Sequence, residues 1–216
     1  MISVFDMFSI GIGPSSSHTV GPMRAAKAFC EQLTEQDLFE QTDEIKVELF
    51  GSLGQTGKGH GTGKAVILGL LGYAPESIDS SLVDGLLEQV HNSQQLELNA
   101  KRFIKFPAQN SIVFHRRKTL KQHANGMTMH AISNKNVISS QTYFSIGGGF
   151  IIREQDFADE KVAALIHEEQ PVPFNFSSAK QLLELSKEHG MRISSIMMKN
   201  EQVFQSVLYG NLYLYL

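Results

Sequence analysis

Hydrophobic and polar positions change period several times along this chain, and each change marks a different element. Ile45, Val47 and Leu49 alternate with Lys46 and Glu48, the period-two pattern of a strand with one buried face. Upstream, Met23, Ala26 and Leu33 share one helical face. They predict a helix that begins near His18 or Thr19, accepts Pro22 in its first turn and ends near Thr34. Residues 1–10 read as a short strand or turn leading into the Gly/Pro/Ser segment 11–17. Residues 51–63 hold six glycines in thirteen positions and read as a flexible loop, followed by a buried helix over 64–71. A second amphipathic helix is expected over 81–91, with Ser80 or Ser81 as its N-cap.

The period then shortens. Phe103, Phe106, Ile112, Phe114, Met127, Met129, Ala131, Val137 and Phe144 lie in short runs broken by Pro107, Asn110, Asn125-Gly126 and Asn134. This predicts an antiparallel meander of about four or five strands, with Asn125-Gly126 as a hairpin turn. The triple glycine at 147–149 fits either a bulge or a backbone that faces a ligand. Helices return over 156–167 and 178–189, with Gly190 at the position of a left-handed C-terminal cap. Residues 193–202 begin like a helix and stop, and the ending 209–216, rich in Tyr and Leu, reads as a truncation or as lacking a partner segment. Strands in one block with helices around them predict an α+β (mixed α/β) fold with an antiparallel or mixed sheet and flanking helices.

At 216 residues the chain can bury a sizeable core, as one large domain or one domain with a second lobe. A net charge of −3 leaves no electrostatic footprint for nucleic acid or an anionic membrane surface. Arg116, Arg117, Lys118 and Lys121 do cluster, and read as a solvated edge or turn. The longest apolar run, 65–71, is too short to span a bilayer, and the apolar start carries Asp6 and no basic region, unlike a signal peptide. The expectation is a cytoplasmic protein with neither membrane nor nucleic-acid partner. Cys30 is the one cysteine, which excludes an internal disulfide and a cysteine-held zinc or iron–sulfur site within one copy of the chain.

Two segments carry the candidate chemistry. Gly13-Pro14-Ser15-Ser16-Ser17-His18-Thr19 stands at a helix start, where hydroxyls and free N–H groups at the positive end of the dipole suit a carboxylate or phosphate. A serine-rich cap with an incidental histidine is the plainer reading. In 51–63, His60 sits between glycines that let backbone approach a ligand closely. The segment is neither a Walker A loop nor a dinucleotide fingerprint: five residues separate Gly51 from Gly57, Gly59 follows Lys58, and no G-x-G-x-x-G can be placed. Neither H-E-x-x-H nor a nucleophile elbow is present.

In order along the chain, SVFDMFSIGIGPSSSHTVGPMRAA, GSLGQTGKGHGTGKA, NGMTMHA and TYFSIGGGF resemble the single-chain bacterial iron–sulfur L-serine dehydratases (L-serine deaminases). The resemblance spans roughly residues 2–200 and covers only the N-terminal β domain of that family, placed at 1–193. Residues 194–216 would begin the linker to a helical α domain that carries the cluster cysteines. The β domain of this family is similar in fold to the allosteric substrate-binding domain of some D-3-phosphoglycerate dehydrogenases, which implies an alternative role as an amino-acid-binding regulatory module. Many relatives read G-H-x-T-D, and Gly63 stands here in place of that Asp.

The resemblance implies β-elimination of L-serine to pyruvate and ammonia, a step of amino-acid catabolism that can feed gluconeogenesis. It implies a 4Fe-4S cluster in the full-length enzyme, with none bound by this chain and no metal ligand among its residues. The implied partners are L-serine, the cluster-bearing α domain and a second copy in a homodimer. His60 is then the base, and His18 polarises or orients the substrate, though these two roles can be exchanged. Ser15, Ser16, Ser17 and Thr19 would hold the carboxylate or hydroxyl of serine. Gly59, Thr62, Asn125, Gly126, Tyr143, Gly147 and Gly148 would complete the pocket.

Overall fold

The strand predicted around Val47 organises a seven-stranded mixed sheet. A computed structural model describes residues 11–158 and 172–204. The described residues fall into two compact units, 11–158 and 172–204. The first unit runs α1 (Val20–Glu35), β1 (Glu44–Phe50), α2 (Gly51–His60), α3 (Thr62–Leu70), α4 (Val83–Ser93), β2 (Gln95–Leu98), β3 (Arg102–Lys105), the single turn α5 (Ala108–Ser111), β4 (Ile112–Phe114), β5 (Asn125–Ser133), β6 (Asn136–Gly147) and β7 (Phe150–Arg153). Sheet order is β2-β3-β1-β5-β6-β7, with β4 also paired to β1.

The expected meander holds only for its second half. β5 pairs antiparallel with β1 and β6, and β7 with β6. β3 and β4 instead run parallel to β1, meeting it at Glu44 and at Val47–Leu49 respectively. The reason is the connection: the chain leaves β1 through helices and returns in the same direction, a crossover that a two-residue hairpin cannot make. Asn125-Gly126 is not a turn but the start of β5, where a Cβ on Gly126 would stand 2.7 Å from the end of the Leu120 side chain and 3.2 Å from the Phe144 ring. The hairpin falls at Asn134 and Lys135, both at positive φ (50° and 68°), as a tight two-residue turn requires. The triple glycine makes the turn into β7, with a register shift between Ser145 and Gly147.

The largest departure from expectation is the glycine segment 51–63. It is helical: α2 follows β1 without a loop, and Gly61, at φ +79°, separates it from α3. Glycine is a poor helix former, but here packing overrides propensity. Gly51, Gly54 and Gly57 are three residues apart and buried. A Cβ at Gly54 would stand 2.3 Å from the carbonyl oxygen of His115 and 2.7 Å from that of Leu49, so only hydrogen fits there. Gly69 does the same between α3 and α1, where a Cβ would meet the Met23 carbonyl oxygen at 2.2 Å.

α1 and α3 cover one face of the sheet. Met23, Phe29 and Leu33 of α1 and Val66, Leu68 and Leu70 of α3 are buried in one core with Ile45, Val47, Leu49, Met127 and Met129. Each large side chain so buried contributes about 1.5–3 kcal/mol relative to exposure. On the opposite face, Glu48 bridges two histidines, with Oε1 2.7 Å from His115 Nε2 and Oε2 3.1 Å from His130 Nε2. Neither Ser80 nor Ser81 caps α4: the Asp79 carboxylate accepts the Ser81 N–H at 2.9 Å and so caps the 3-10 turn Ser80–Leu82 that leads into α4, and Leu82 at the N-cap of α4 itself offers no side-chain hydrogen bond.

In the second unit, α6 (Ala179–Glu188) is capped by Ser178, and Gly190 takes the expected left-handed conformation at φ +60°. α7 (Ile193–Phe204) continues past residue 202, where the sequence pattern stops. Asn200 holds it by two hydrogen bonds to Phe174: Oδ1 accepts the N–H at 2.9 Å, and Nδ2 donates to the carbonyl at 2.7 Å. Only the 3-10 turn Glu154–Ala158 of the helix expected over 156–167 is described. The remainder of it, the first ten residues and the 209–216 ending lie outside the described residues.

Two substitutions distinguish a packed helix from a loop at the glycine segment. Gly54→Ala should destabilise the chain by about 1–3 kcal/mol, because the obstacles are backbone oxygens. Gly59→Ala meets nothing within 4 Å and should stabilise the helix by about 0.5–1 kcal/mol. Urea unfolding of both variants checks this, and equal effects would rule out the packed helix.

Candidate active site

His18 and His60 are brought together by two helix ends. His18 lies in the turn that leads into α1 and is buried, at 8% exposure. His60 is the last residue of α2 and is half-buried. Their ring centroids are 4.7 Å apart and the planes are tilted by 40°. The serine turn folds around the first ring: Ser17 Oγ lies 3.1 Å and Ser15 Oγ 3.4 Å from His18 Nδ1. On the other side His18 Nε2 faces Ser52 Oγ at 3.2 Å and Thr56 Oγ1 at 3.0 Å, both from α2.

The His60 ring is fixed differently. Its Nδ1 lies 3.0 Å from the Thr56 carbonyl oxygen. A carbonyl can only accept, so Nδ1 carries the hydrogen, and in the neutral ring the lone pair stands on Nε2. Nε2 has no hydrogen-bond partner among the described residues. A neutral imidazole held in this way can accept a proton at Nε2. His18 has its pKa lowered from 6.5, first by burial and then by the neighbouring His60, against an opposing backbone hydrogen bond at Ser52. The environment therefore favours His18 as the neutral ring.

The other predicted residues divide. Ser15 and Ser17 touch His18, and Ser16 lies in the same turn, its carbonyl accepting the Gly21 N–H at 3.0 Å. Thr19 is buried and its hydroxyl donates to the Ser15 carbonyl at 2.8 Å, so it holds the turn together. Pro22 has no N–H and that of Gly21 is taken, so the helix start offers fewer free donors than the sequence suggested. Gly59 is exposed beside His60, whereas Thr62 is fully buried close to Gly57, its hydroxyl without a partner among the described residues.

Asn125 lies next to the site, since Ser52 N–H donates to the Ala124 carbonyl and Asn125 Nδ2 donates to the Ser145 carbonyl at 3.1 Å. Ser145 in turn packs on Gly21 at the start of α1, and its buried hydroxyl has no partner among the described residues. Gly126 is buried beneath Leu120 and Phe144. The turn holding Gly147 and Gly148 is tied to α1 by Arg24, which donates to the Gly149 carbonyl at 2.9 Å and also pairs with Glu76. Tyr143 is not brought to the histidines. Its hydroxyl is buried, donates to Gln32 Oε1 at 3.1 Å and is pushed up by that burial, about three turns along α1 from Val20.

Ser52 and Thr56 are the residues that sequence reasoning missed. The signal was present: Ser52, Thr56 and His60 are spaced four apart, one face of a helix. It is legible only once 51–60 is read as a helix rather than a loop.

Two histidines among serine and threonine hydroxyls, at the joined ends of two helices, coincide with the motifs that carried the family resemblance. Residues 3–156 match the family described as serine dehydratase beta chain. The chain belongs to that family. Its full-length relatives include the L-serine dehydratase of Haemophilus influenzae, 44% identical over 203 residues, 93% of this chain and 43% of the relative. That of Streptomyces coelicolor is 42% identical over 94% of this chain and 44% of its own length. L-serine dehydratase 1 of Escherichia coli is 42% identical over 95% of this chain and 44% of its own length. The chain thus spans less than half the length of these relatives. Among its described residues, no helix is long and apolar enough to cross a membrane.

The depressed His18 pKa makes stability depend on pH. Above 6.5 the ring is neutral in both folded and unfolded chains, and its contribution is complete. As pH falls below 6.5, the unfolded chain takes up a proton that the folded one resists, so stability is lost until the lower folded value is passed. Urea unfolding across this range should show the loss in the native chain and a smaller one in His18→Gln. Identical pH slopes would contradict the assignment.

Proposed function

We propose that this chain supplies the acid–base half of an L-serine ammonia-lyase, which converts L-serine to pyruvate and ammonia. The observation that supports this most directly is the His18–His60 contact with His60 Nε2 left open. In β-elimination a base removes the α-proton, the C–H electron pair becomes the Cα=Cβ double bond, and hydroxide departs from Cβ. The aminoacrylate formed tautomerises to an imine, which water hydrolyses to pyruvate and ammonia. The α-proton is weakly acidic and hydroxide is a poor leaving group, so a base and a Lewis acid are both needed.

His60 is the base: Thr56 holds its Nδ1–H, and Nε2 takes the α-proton. His18 has hydrogen-bond partners at both nitrogens, which suits it to orienting rather than abstracting. Ser15, Ser16 and Ser17 hold the substrate carboxylate at the positive end of α1. Both histidines belong to one chain, so a second copy is not needed to complete the pair.

The resemblance to iron–sulfur enzymes makes a four-iron cluster the expected Lewis acid, and the residues of this chain do not fit one. Cys30 is buried, its thiol points at the Leu70 carbonyl, and burial pushes its pKa up to about 12. Among the described residues no group of three His, Cys, Asp or Glu side chains is placed to hold a metal. A cluster would have to be carried by cysteines of a further domain, as the length of the relatives allows.

Three measurements test this reading. The 216-residue chain should be purified without stoichiometric iron and form no pyruvate from L-serine. L-serine titrated into it should move amide signals of 15–19 and 51–63 with a Kd on the order of 1 mM, about −4 kcal/mol, as expected if a further domain supplies the remaining contacts. In the enzyme completed by its cluster-bearing domain, His60→Ala should lower kcat by about 10²–10⁴-fold with little change in KM. Tight serine binding at another place would instead identify an amino-acid-binding regulatory module.

A further inference from the structure

One residue touches both rings of the pair. The Thr56 carbonyl accepts from His60 Nδ1, and the Thr56 hydroxyl lies 3.0 Å from His18 Nε2. The direction of this second bond follows from proton counting. A hydroxyl has one hydrogen to give, and the Thr56 hydroxyl lies 2.9 Å from the carbonyl of Ser52, which can only accept. Back-bonding of a threonine to the carbonyl four residues earlier is an ordinary arrangement within a helix. With its hydrogen committed there, Oγ1 offers only lone pairs to His18.

A neutral imidazole facing an acceptor must place its hydrogen on the facing nitrogen. His18 is then the Nε2–H form, and its Nδ1 lone pair receives the hydroxyl hydrogen of Ser17 or Ser15. His60 is the reverse, with hydrogen on Nδ1 and the lone pair on Nε2.

We propose that Thr56 is a positioning residue that sets the two histidines in opposite tautomers, with its hydroxyl fixing His18 as Nε2–H and its carbonyl fixing His60 as Nδ1–H. The arrangement has a chemical use that rests on the lyase reading above. It gives the two adjacent rings different duties, one with both nitrogens engaged and one with a lone pair facing outward. It also uses one residue of α2 to hold both, so a shift of the helix would disturb the rings together.

The tautomers can be read without substrate or turnover. Long-range nitrogen–proton correlation of the imidazoles in the native chain, at a pH well above 6.5, should show His18 unprotonated at Nδ1 and His60 unprotonated at Nε2. Thr56→Val keeps the side-chain shape and removes the hydroxyl, leaving His18 Nε2 only Ser52 Oγ. The His18 signals should then move toward a mixture of tautomers while those of His60 keep the Nδ1–H pattern. Thr56→Ser should restore the native His18 pattern. His18 found as Nδ1–H in the native chain would overturn the proposal, as would Thr56→Val signals unchanged from native. Either result would leave the lyase reading to its own test, because that reading fails on the turnover of His60→Ala and not on the tautomer of His18.

Discussion

The seating of α2 directly on the end of β1 is the constraint on which the site depends. Gly51 turns the chain from strand to helix at φ +55°, and Gly54 lies against the carbonyl oxygens of Leu49 and His115. A side chain at Gly54 would push the helix away from the sheet. Because the buried glycine face fixes the rotation of α2, the face bearing Ser52, Thr56 and His60 has one direction left to it. That direction meets the Ser15–His18 turn, and every hydrogen bond to His18 Nε2 follows from it.

A similar close approach sets the other side of the pair. Gly69 of α3 lies against the Met23 carbonyl, and Gly21 lies against the hydroxyl of Ser145. These contacts lay α1 on the sheet, so its entry turn arrives beside α2. Burial of His18 within this junction lowers its pKa, and the neighbouring His60 adds to the effect. The chemistry of the pair is thus a consequence of packing: burial favours the neutral form of one imidazole, and the other keeps a nitrogen without a hydrogen-bond partner among the described residues.

The chain spans 43–44% of the relatives it matches, and its single cysteine is committed to the core between α1 and α3. On the lyase reading proposed above, expulsion of hydroxide would need a Lewis acid from outside the described residues.

Much was legible from pattern alone. The alternation at Ile45, Val47 and Leu49 identified β1, the spacing of Met23, Ala26 and Leu33 identified α1, and Ser178 and Gly190 marked the ends of α6. These features are local: periodicity and capping act within a few residues and leave their mark in the sequence that makes them. The pairing of His18 with His60 was implied by the family resemblance rather than by spacing. What tertiary structure decided was the state of residues 51–63, the parallel return of β3 and β4, and the relocation of the hairpin from Asn125-Gly126 to Asn134-Lys135. Glycine-rich sequence has low helix propensity, and only a distant carbonyl, that of His115, and the end of β1 make the helical form the one that packs. Ser52 and Thr56 were hidden for that reason, since four-residue spacing carries no meaning until the backbone between is known to be helical.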